Sequence, residues 1–320
     1  MKKVSQRDTN PYPNSDTNKR YQTFDFYLRK RFGKKCAKIP LDGGFTCPNI
    51  DGTRGEGGCI YCLGGSAAVT AVEDSLERQY ADGVASVSDK WKDFYTIPYL
   101  QAHTCTYGAP DVLRSVYEKC AAFPNAVMLA IATRADCLDD GVVEVLEETA
   151  KRIPVLVELG LQSANDDTAR LINRGHTRAE FLDGYERLRR AAGDISVCIH
   201  MINGLPGEGI GDMLDTARFV AALSPDMVKI HLLHVLRGTR LYEMYESGEY
   251  VPMEREEYIR TVCDQIELMP KDTVIARLTG DGFSSDLAAP DWSRRKKSVI
   301  NDIDTELYRR GSFQGMKFNK

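Results

Sequence analysis

Short apolar segments alternate with amphipathic segments between residues 36 and 236, and this rhythm limits the possible folds more than any other feature. The strand candidates are 37–43, 94–102, 126–133, 154–162, 195–203 and 227–236. Between them, apolar residues recur at helical spacing near 73–90, 110–122, 139–151, 166–172 with 178–192, and 211–223. Apolar strands that alternate with helices predict βα units, and hence a buried parallel sheet in an α/β fold.

Six βα units are fewer than the eight of a closed barrel, so the pattern favours either an open, partial barrel or a doubly wound sheet. After them come a helix near 253–268, a short strand over 273–278 and a basic helix near 293–310. We therefore predict three segments. These are a basic, partly flexible N-terminal extension with a flexible leader over 1–20, a core, and an appended C-terminal helical segment, with bounds 1–35, 36–250 and 251–320.

Composition excludes several classes of protein. A hydrophobic fraction of 42% is that of a globular protein and not of a disordered one. There is no apolar run of about 18 residues to cross a membrane and no apolar stretch of a secretory signal near the N-terminus. Nine cysteines are an odd number, which argues against a disulfide framework and predicts a reducing, cytoplasmic location.

Three of the nine cysteines stand together in the segment TCPNIDGTRGEGGCIYC. Eleven residues separate Cys47 from Cys59 and two separate Cys59 from Cys62, directly after the first strand candidate. Three thiolates leave one iron of a four-iron cluster open to another ligand. Four glycines between Cys47 and Cys59 permit the backbone to wrap closely around such a cluster. The spacing therefore favours an iron–sulfur cluster with an open iron.

A zinc site and a redox pair are the two alternatives for these cysteines. A structural zinc site needs four ligands, and the nearest histidine along the chain is the distant His103. A dithiol redox pair of Cys59 and Cys62 leaves Cys47 without a role.

Motifs along nearly the whole chain resemble the radical S-adenosylmethionine (SAM) superfamily. They are FTCPNIDGTRGEGGCIYC (45–62), TRADCL (133–138), VELGLQS (157–163), INRGH (172–176), HMINGLPGE (200–208), PDMVKIHLLHVLRGTRLYEMYESGEY (225–250), RLTGDG (277–282) and RRGSFQG (309–315). Members of the superfamily usually have three residues between the first cysteine and the C-x-x-C pair, whereas this chain has eleven. That longer loop is similar to the YtqA/YhcC-type (MnmL-like) subgroup, which is related to the elongator catalytic subunit. The resemblance implies a partial (β/α)6 radical SAM barrel.

The resemblance also implies roles for individual residues. Cys47, Cys59 and Cys62 would bind a [4Fe–4S] cluster whose open iron chelates SAM, and reduction would cleave SAM to a 5′-deoxyadenosyl radical. The residues that would contact SAM are Tyr61 at the adenine, Glu158 and Gln162 at the end of the fourth strand, Arg174 at the carboxylate and His200 at the ribose.

Competing interpretations exist for two of these SAM contacts. Glu158 is alternatively a buried charge paired with Arg134 or Arg174. His200, like His231, is alternatively a core histidine of the sheet. Buried structural thiols are the alternative for three further cysteines that are candidates for a radical relay, Cys105, Cys137 and Cys198.

Two features depart from the family pattern. Ala132 stands where many relatives have an acidic residue before Thr-Arg. The segment QAHTCTYG (101–108) replaces the glycine-rich motif that holds the SAM amine. Candidates for holding that end of SAM are Gln101, Thr104 and Thr106.

The subgroup implies a substrate and partners. Its members are associated with the wobble uridine of tRNA and with conversion of 5-carboxymethylaminomethyl-uridine to 5-aminomethyl-uridine. The resemblance therefore implies tRNA as substrate, an electron donor such as flavodoxin or ferredoxin, and a downstream tRNA methyltransferase. The alternatives are a radical SAM enzyme for a small molecule or a protein, and a non-catalytic iron–sulfur or zinc scaffold.

The distribution of charge offers independent support for an RNA substrate. The chain has a net charge of −4, yet residues 1–40 carry +8 and residues 291–320 carry +4, which leaves −16 for the middle. Clustered cations near aromatic residues suit phosphate contacts and base stacking. The candidate RNA-binding residues are Arg29, Lys30, Arg31, Lys34, Lys35, Arg294, Arg295, Lys296 and Lys297. The alternative is that these are solvated helix faces.

Overall fold

The computed structural model describes residues 10–63, 74–280 and 285–318. Its strands are β1 (Cys36–Leu41), β2 (Tyr95–Leu100), β3 (Leu129–Thr133), β4 (Val155–Gln162), β5 (Ile195–Asn203), β6 (Met227–Leu232), β7 (Val235–Leu236), β8 (Val274–Arg277) and β9 (Leu287–Ala289). Its helices are α1 (Phe24–Phe32), α2 (Leu76–Ser88), α3 (Pro110–Ala121), α4 (Asp140–Ala150), α5 (Asp166–Leu171), α6 (Arg178–Arg190), α7 (Ile210–Leu223), α8 (Arg240–Glu246), α9 (Arg255–Leu268) and α10 (Lys296–Arg309). Three parts of the predictions lie outside the described residues, namely leader residues 1–9, residue 73 and residues 281–282 of RLTGDG.

Seven strands form one parallel sheet in the order β1-β2-β3-β4-β5-β6-β8. A doubly wound sheet reverses its strand order at a switch point, whereas this order follows the chain from edge to edge. The doubly wound alternative is therefore wrong, and the topology of an open, partial α/β barrel is confirmed.

Strand β1 shows how the sequence pattern builds this sheet. Ala37, Ile39 and Leu41 are buried, while the residues between them are half-buried, as the two-residue period of a strand requires. Helix α2 packs on the buried face through Gly83, where an added Cβ would lie 2.5 Å from the Ile39 side chain. The helix therefore approaches the strand as closely as a backbone without a side chain allows.

Helix starts follow local capping signals. Asp139 accepts a hydrogen bond from the Val142 backbone N–H at 2.9 Å and caps α4. Thr177 and Glu180 form a reciprocal capping box at α6, and Pro110 stands at the first position of α3. Each device satisfies backbone N–H groups that have no partner within the helix, or removes one of them.

The C-terminal residues supply part of the sheet. The strand predicted over 273–278 is β8, which pairs in parallel with β6. The strand predicted over 227–236 is two strands, because the chain leaves the sheet after β6 and β7 pairs with β9 in a separate antiparallel ribbon. Helix α8, which has seven residues and is capped by Thr239, was not predicted from the sequence.

The chain divides into two compact units. One contains residues Leu28–Leu161 and Ala169–Cys198, with strands β1 to β3 and most of β4. The other contains Gln162–Thr168, Ile199–Lys320 and the N-terminal residues up to Tyr27.

Residues 10–22 pack within the second unit, so the prediction of a flexible leader is wrong for the described residues of 10–20. Tyr12 is buried and its hydroxyl donates to the Lys271 carbonyl at 2.7 Å. Gln314, which is fully buried, accepts from the Gln22 N–H at 2.9 Å. The Gln314 amide donates to the carbonyls of Pro270 at 2.6 Å and Thr273 at 2.7 Å. One side chain therefore joins three segments of the chain.

Within the described residues, no helix combines the length and the apolar character needed to cross a bilayer.

Candidate functional site

The three clustered cysteines lie in the loop that follows the carboxyl end of β1. Cys47, Cys59 and Cys62 are half-buried and form no disulfide. The Ile50 N–H donates to the Cys47 carbonyl at 2.8 Å, and the Cys62 N–H donates to the Cys59 carbonyl at 2.9 Å. Each cysteine therefore stands in a hydrogen-bonded turn that fixes its backbone.

A buried asparagine holds the long segment between the first two cysteines. Asn49 has no exposed surface, and its amide donates to the Asn173 carbonyl at 2.5 Å and lies 3.9 Å from the Cys59 sulfur. Its own carbonyl accepts from the Gly58 N–H at 2.8 Å. Asn49 thus connects the cysteine loop to the INRGH segment, although 124 residues separate it from Asn173.

The INRGH segment also donates hydrogen bonds to the cysteine loop. The Asn173 amide donates to the carbonyls of Glu56 at 3.0 Å and Gly58 at 2.7 Å. Gly175 has a φ of +78°, and a Cβ there would lie 2.4 Å from the Asn49 oxygen. The longer cysteine spacing therefore serves to dock the loop on residues 172–175.

The electrostatics of the thiols favour a positively charged occupant. Burial and the neighbouring side chains of Cys62 and Cys47 raise the pKa of Cys59 to about 11, against the nearby charge of Arg134. Metal ions deprotonate coordinating thiols outright. A bound cluster would therefore offset the free-energy cost of ionising the Cys59 thiol. Burial and the neighbouring Cys59 and Cys62 raise the pKa of the Tyr61 hydroxyl, which keeps this phenol neutral.

The number and type of the donor atoms test the two metal alternatives. Cys47, Cys59 and Cys62 offer three free thiols. A structural zinc site takes four protein ligands. Three thiolates on a four-iron cluster leave one iron open to a further ligand. This donor set therefore fits [4Fe–4S] better than structural zinc.

Arg174, a predicted contact of the SAM carboxylate, is a buried residue beside the loop. Its guanidinium donates to the His176 carbonyl at 3.0 and 2.9 Å and also to the Leu161 carbonyl. Its charge acts on Tyr61. These contacts tie the end of β4 to the INRGH segment, and a contact with SAM stays a prediction.

The TRADCL segment contributes a second guanidinium. Arg134 forms a two-bond ion pair with Asp136 at 3.0 and 2.9 Å and donates to the Arg174 carbonyl at 2.6 Å. Since its charge acts on Cys59 and Cys47, it lies where it favours thiolates.

Glu158 is buried and belongs to a polar cluster on neighbouring strands. Lys38 of β1 forms an ion pair with one carboxylate oxygen. Tyr99 of β2 donates to the other oxygen at 2.6 Å, and the Lys38 nitrogen lies 4.1 Å from the Tyr99 ring centre. Of the two interpretations of Glu158, the buried ion pair is present, and Lys38 is a cation that forms it. A SAM contact of Glu158 stays a prediction.

Gln162 and His200, the other predicted SAM contacts, belong to the second compact unit. Gln162 ends β4 with a φ of +67°, a backbone conformation that is rare for residues other than glycine. His200 lies on β5 with its ring centre 5.2 Å from that of His231 on β6. Their roles stay predictions.

The second unit also contains a cavity of about 490 Å³ formed by the GLPGE segment (204–208) and residues 249–257. The Tyr250 hydroxyl donates to the Gly204 carbonyl there at 2.7 Å. The cavity therefore lies directly beside the turn that follows β5.

Comparison with known proteins gives the chain a family. The family model described as the radical SAM superfamily matches residues 50–220, which is more than half of the chain. This chain belongs to the radical SAM superfamily. A model described as a radical SAM C-terminal domain matches residues 225–309. The superfamily uses a [4Fe–4S] cluster and SAM, so these are its cofactors.

Individual relatives match different lengths of this chain. YtqA of Bacillus subtilis is 43% identical over 97% of both chains, and YhcC of Escherichia coli is 35% identical over 89% of this chain and 91% of its own. The tRNA uridine(34) acetyltransferase of Methanocaldococcus infernus is 33% identical over 49% of this chain and 29% of its own. The structure of M. infernus Elp3 with an N-terminal deletion has a TM-score of 0.64 at 18% identity, covering 87% of this chain and 64% of Elp3.

The first basic segment, residues 29–35, precedes β1, and the cysteine loop follows β1. The two therefore lie at opposite ends of this strand. Arg31 pairs with Asp194, and Lys34 pairs with Asp93 at 2.8 Å. Lys35 lies 4.8 Å from the Trp91 ring centre. Arg29 and Lys30 are exposed. Part of the segment's charge is therefore already paired within the protein.

The second basic segment is not uniform either. Arg294 pairs with Asp291 at 2.9 Å, whereas Arg295 and Lys297 are exposed at the start of α10. Lys296 is half-buried, unlike its two neighbours. RNA contact at both segments stays a prediction.

The roles of the three candidate relay cysteines stay predictions. Burial raises the pKa of Cys105, whose thiol lies 3.0 Å from the Ala102 carbonyl. Burial and Asp136 raise the pKa of Cys137 to about 12. Cys198 is fully buried.

Sequence reasoning missed Lys38, Tyr99 and the clamping role of Asn49. The one available signal was Lys38, a charged residue within an otherwise apolar strand.

Proposed function

We propose that this chain is a radical SAM enzyme that modifies the wobble uridine of tRNA and converts 5-carboxymethylaminomethyl-uridine to 5-aminomethyl-uridine. The observation that carries the proposal is the similarity of half of the chain to an enzyme named for uridine 34 of tRNA, which is the wobble position. A loop with three free thiols, which suits a four-iron cluster with an open iron, supports the same chemistry.

In this proposal Cys47, Cys59 and Cys62 hold the cluster. When bound, the cluster and SAM would supply a carbon-centred radical able to take a hydrogen atom from the methylene beside the carboxylate. Return of one further electron to the cluster would leave an imine on the substrate, and water would hydrolyse it to the aminomethyl product and glyoxylate. Asn49 and Asn173 hold the loop in position, and Arg134 stabilises the thiolates. Tyr61, Glu158, Gln162, Arg174 and His200 are the proposed SAM contacts.

The proposal includes partners. A flavodoxin or a ferredoxin supplies the electron, and a tRNA methyltransferase consumes the aminomethyl product. The exposed cations of both basic segments contact RNA phosphates, which favour clustered Lys and Arg.

Mass spectrometry of tRNA nucleosides tests the reaction. Cells that lack the protein should accumulate the carboxymethylaminomethyl nucleoside, and the reconstituted protein with SAM and a reductant should convert that tRNA in vitro. Cys59→Ala should abolish both the conversion and the visible absorbance of the cluster. Cys36→Ala, a half-buried cysteine of β1, is the matched control and should retain both.

Different results would favour the competing functions. Unchanged nucleosides together with SAM cleavage would point to a small-molecule or protein substrate. A cluster without SAM cleavage would point to a scaffold.

A further inference from the structure

The side-chain amide of Asn49 carries one more N–H group than the docking of the cysteine loop uses. Asn49 has no exposed surface, and its amide nitrogen donates to the Asn173 carbonyl at 2.5 Å. A side-chain amide has two N–H groups. The Cys59 sulfur lies 3.9 Å from the same nitrogen. The second N–H group therefore has the sulfur of a proposed cluster ligand as its acceptor.

Two glycines fix which end of the amide faces this sulfur. A Cβ on Gly55 would lie 2.4 Å from the Asn49 side-chain oxygen, and a Cβ on Gly175 would lie equally close. This buried oxygen has no hydrogen-bond partner among residues 10–63, 74–280 and 285–318. A half-turn of the amide would set its oxygen against the Asn173 carbonyl oxygen, which is also an acceptor. The nitrogen end therefore faces Cys59, and the amide leaves its oxygen unpaired to keep that orientation.

Binding of iron would strengthen the contact between Asn49 and Cys59. A protonated thiol is neutral, whereas a thiolate that binds iron is negatively charged. Hydrogen bonds to charged acceptors are shorter and about twice as strong as bonds between neutral groups. One further electron on a cluster makes its sulfur atoms more negative still. An N–H group that faces such a sulfur therefore stabilises the reduced cluster more than the oxidised one.

We propose that Asn49 is a positioning residue that raises the reduction potential of the cluster through an N–H···S hydrogen bond to Cys59. The inference rests on the part of the proposed function in which Cys59 binds the cluster, and it is independent of the tRNA substrate. In the reduction, a flavodoxin or ferredoxin gives one electron to the cluster, and no covalent bond forms or breaks. Hydrogen bonds to sulfur are one of the means by which a protein sets such a potential.

Asn173 offers a matched control, because it holds the same loop through oxygen acceptors. Its amide donates to the carbonyls of Glu56 at 3.0 Å and Gly58 at 2.7 Å. Its φ is +53°, a conformation that glycine adopts without strain. Asn173→Gly therefore removes two bonds to the loop and keeps the backbone carbonyl that accepts from Asn49. It loosens the loop without removing the donor to the sulfur.

Redox titration of the reconstituted protein without SAM, followed by the EPR signal of the reduced cluster, tests the proposal. Asn49→Ala should lower the midpoint potential. The ratio of reduced to oxidised cluster at a fixed solution potential should fall by about threefold to tenfold. Asn173→Gly should leave this ratio unchanged. An unchanged ratio in Asn49→Ala would overturn the proposal, and so would an equal fall in both variants, because loop position alone would then set the potential.

A measurement on the unaltered protein covers the case in which Asn49→Ala binds no cluster. Asparagine isotopically labelled at its side-chain nitrogen should give a nitrogen coupling in pulsed EPR spectra of the reduced cluster, because the hydrogen bond transfers spin density from sulfur to nitrogen. The coupling should persist in Asn173→Gly, which assigns it to Asn49. Spectra of the unaltered protein without this coupling would overturn the proposal.

Cys59→Ala separates failure of this inference from failure of the proposed function. If Cys59→Ala still binds the cluster, the proposed ligation fails and the inference fails with it. If Cys59→Ala loses the cluster while Asn49→Ala has the potential of the unaltered protein, the inference fails alone. If the potential falls as expected but no tRNA is converted, the inference stands and the proposed substrate fails.

Discussion

At the scale of single residues, the candidate site depends on buried polar side chains that connect distant parts of the chain. Asn49 joins the cysteine loop to residue 173, and Glu158 is held by Lys38 and Tyr99. Arg174 and Glu158 therefore act first on protein atoms, whatever they contribute to SAM.

His176 is a buried residue with an unfavourable electrostatic environment. It is 5% exposed, and the nearest carboxylate oxygen, on Asp136, lies 3.6 Å from Nδ1. Burial, followed by the charges of Arg174, Arg134 and Arg54, lowers its pKa to about 2. An unfolded histidine has a pKa of about 6.5. The unfolded chain therefore binds a proton that the folded chain does not.

We predict that His176 makes the protein sensitive to acid. Above pH 6.5, His176 does not change the free energy of unfolding with pH. As the pH drops below 6.5, the free energy of unfolding falls by up to about 1.4 kcal/mol per pH unit. His176→Gln should reduce that slope in urea unfolding at pH 7.5, 6 and 5. His103→Gln is the control for loss of a histidine elsewhere. Equal slopes for His176→Gln and the unaltered protein would contradict the prediction.

At the scale of elements, two helical glycines occupy opposite environments. In α6, a Cβ on Gly184 would lie 2.1 Å from the Ala135 carbonyl oxygen. Helix α6 therefore packs directly on the turn that contains Ala135 and Cys137. In α7, Gly211 is exposed and has no atom within 4 Å of such a Cβ.

We predict that the same substitution has opposite effects at these two positions. Gly184→Ala should lower the free energy of unfolding by about 1–3 kcal/mol, because α6 must move away from the turn. Gly211→Ala should raise it by about 0.5–1 kcal/mol, because alanine loses less backbone entropy in a helix. Chemical denaturation of both variants measures the difference, and a loss of stability in Gly211→Ala would show that the α7 packing is misunderstood.

The sequence predicted elements better than it predicted contacts. Long apolar strands and capped helices agree with their predicted positions to within a few residues, because their periodicity and caps are local. The two-residue β7, the three-residue β9 and the seven-residue α8 are too short to show a period. The cysteine loop was found because its ligands share one residue type and a short spacing. Lys38 and Glu158 are 120 residues apart, and nothing local pairs them.

At the scale of the whole molecule, the near-neutral total charge is the sum of an acidic middle and two basic ends. Within the first basic segment, the ion pairs of Arg31 and Lys34 offset part of that charge. If tRNA is the substrate as proposed, its affinity should therefore depend on the exposed cations more than on the number of cations. Arg29 and Lys30 are the exposed cations that the segment offers on α1.

We predict that replacing Arg29, Lys30 and Arg31 together with alanine weakens tRNA binding and flattens its salt dependence. Each lost phosphate contact reduces the slope of log K against log salt by up to about 0.9. Binding measured between 50 and 200 mM salt checks this. A triple variant of Lys119, Lys151 and Arg218 removes the same charge at exposed positions outside both segments. Equal slopes in the two triple variants would mean that only total charge matters.

The buried Gln314 has a consequence for synthesis. It pairs with Gln22 across 292 residues of sequence. Ribosomes add about 5–20 residues per second, so roughly 15–60 s pass between the two residues. During that interval Tyr12 and its neighbours lack the partners that later bury them. The N-terminal segment therefore docks last although it is made first, and until then it is open to chaperones and proteases.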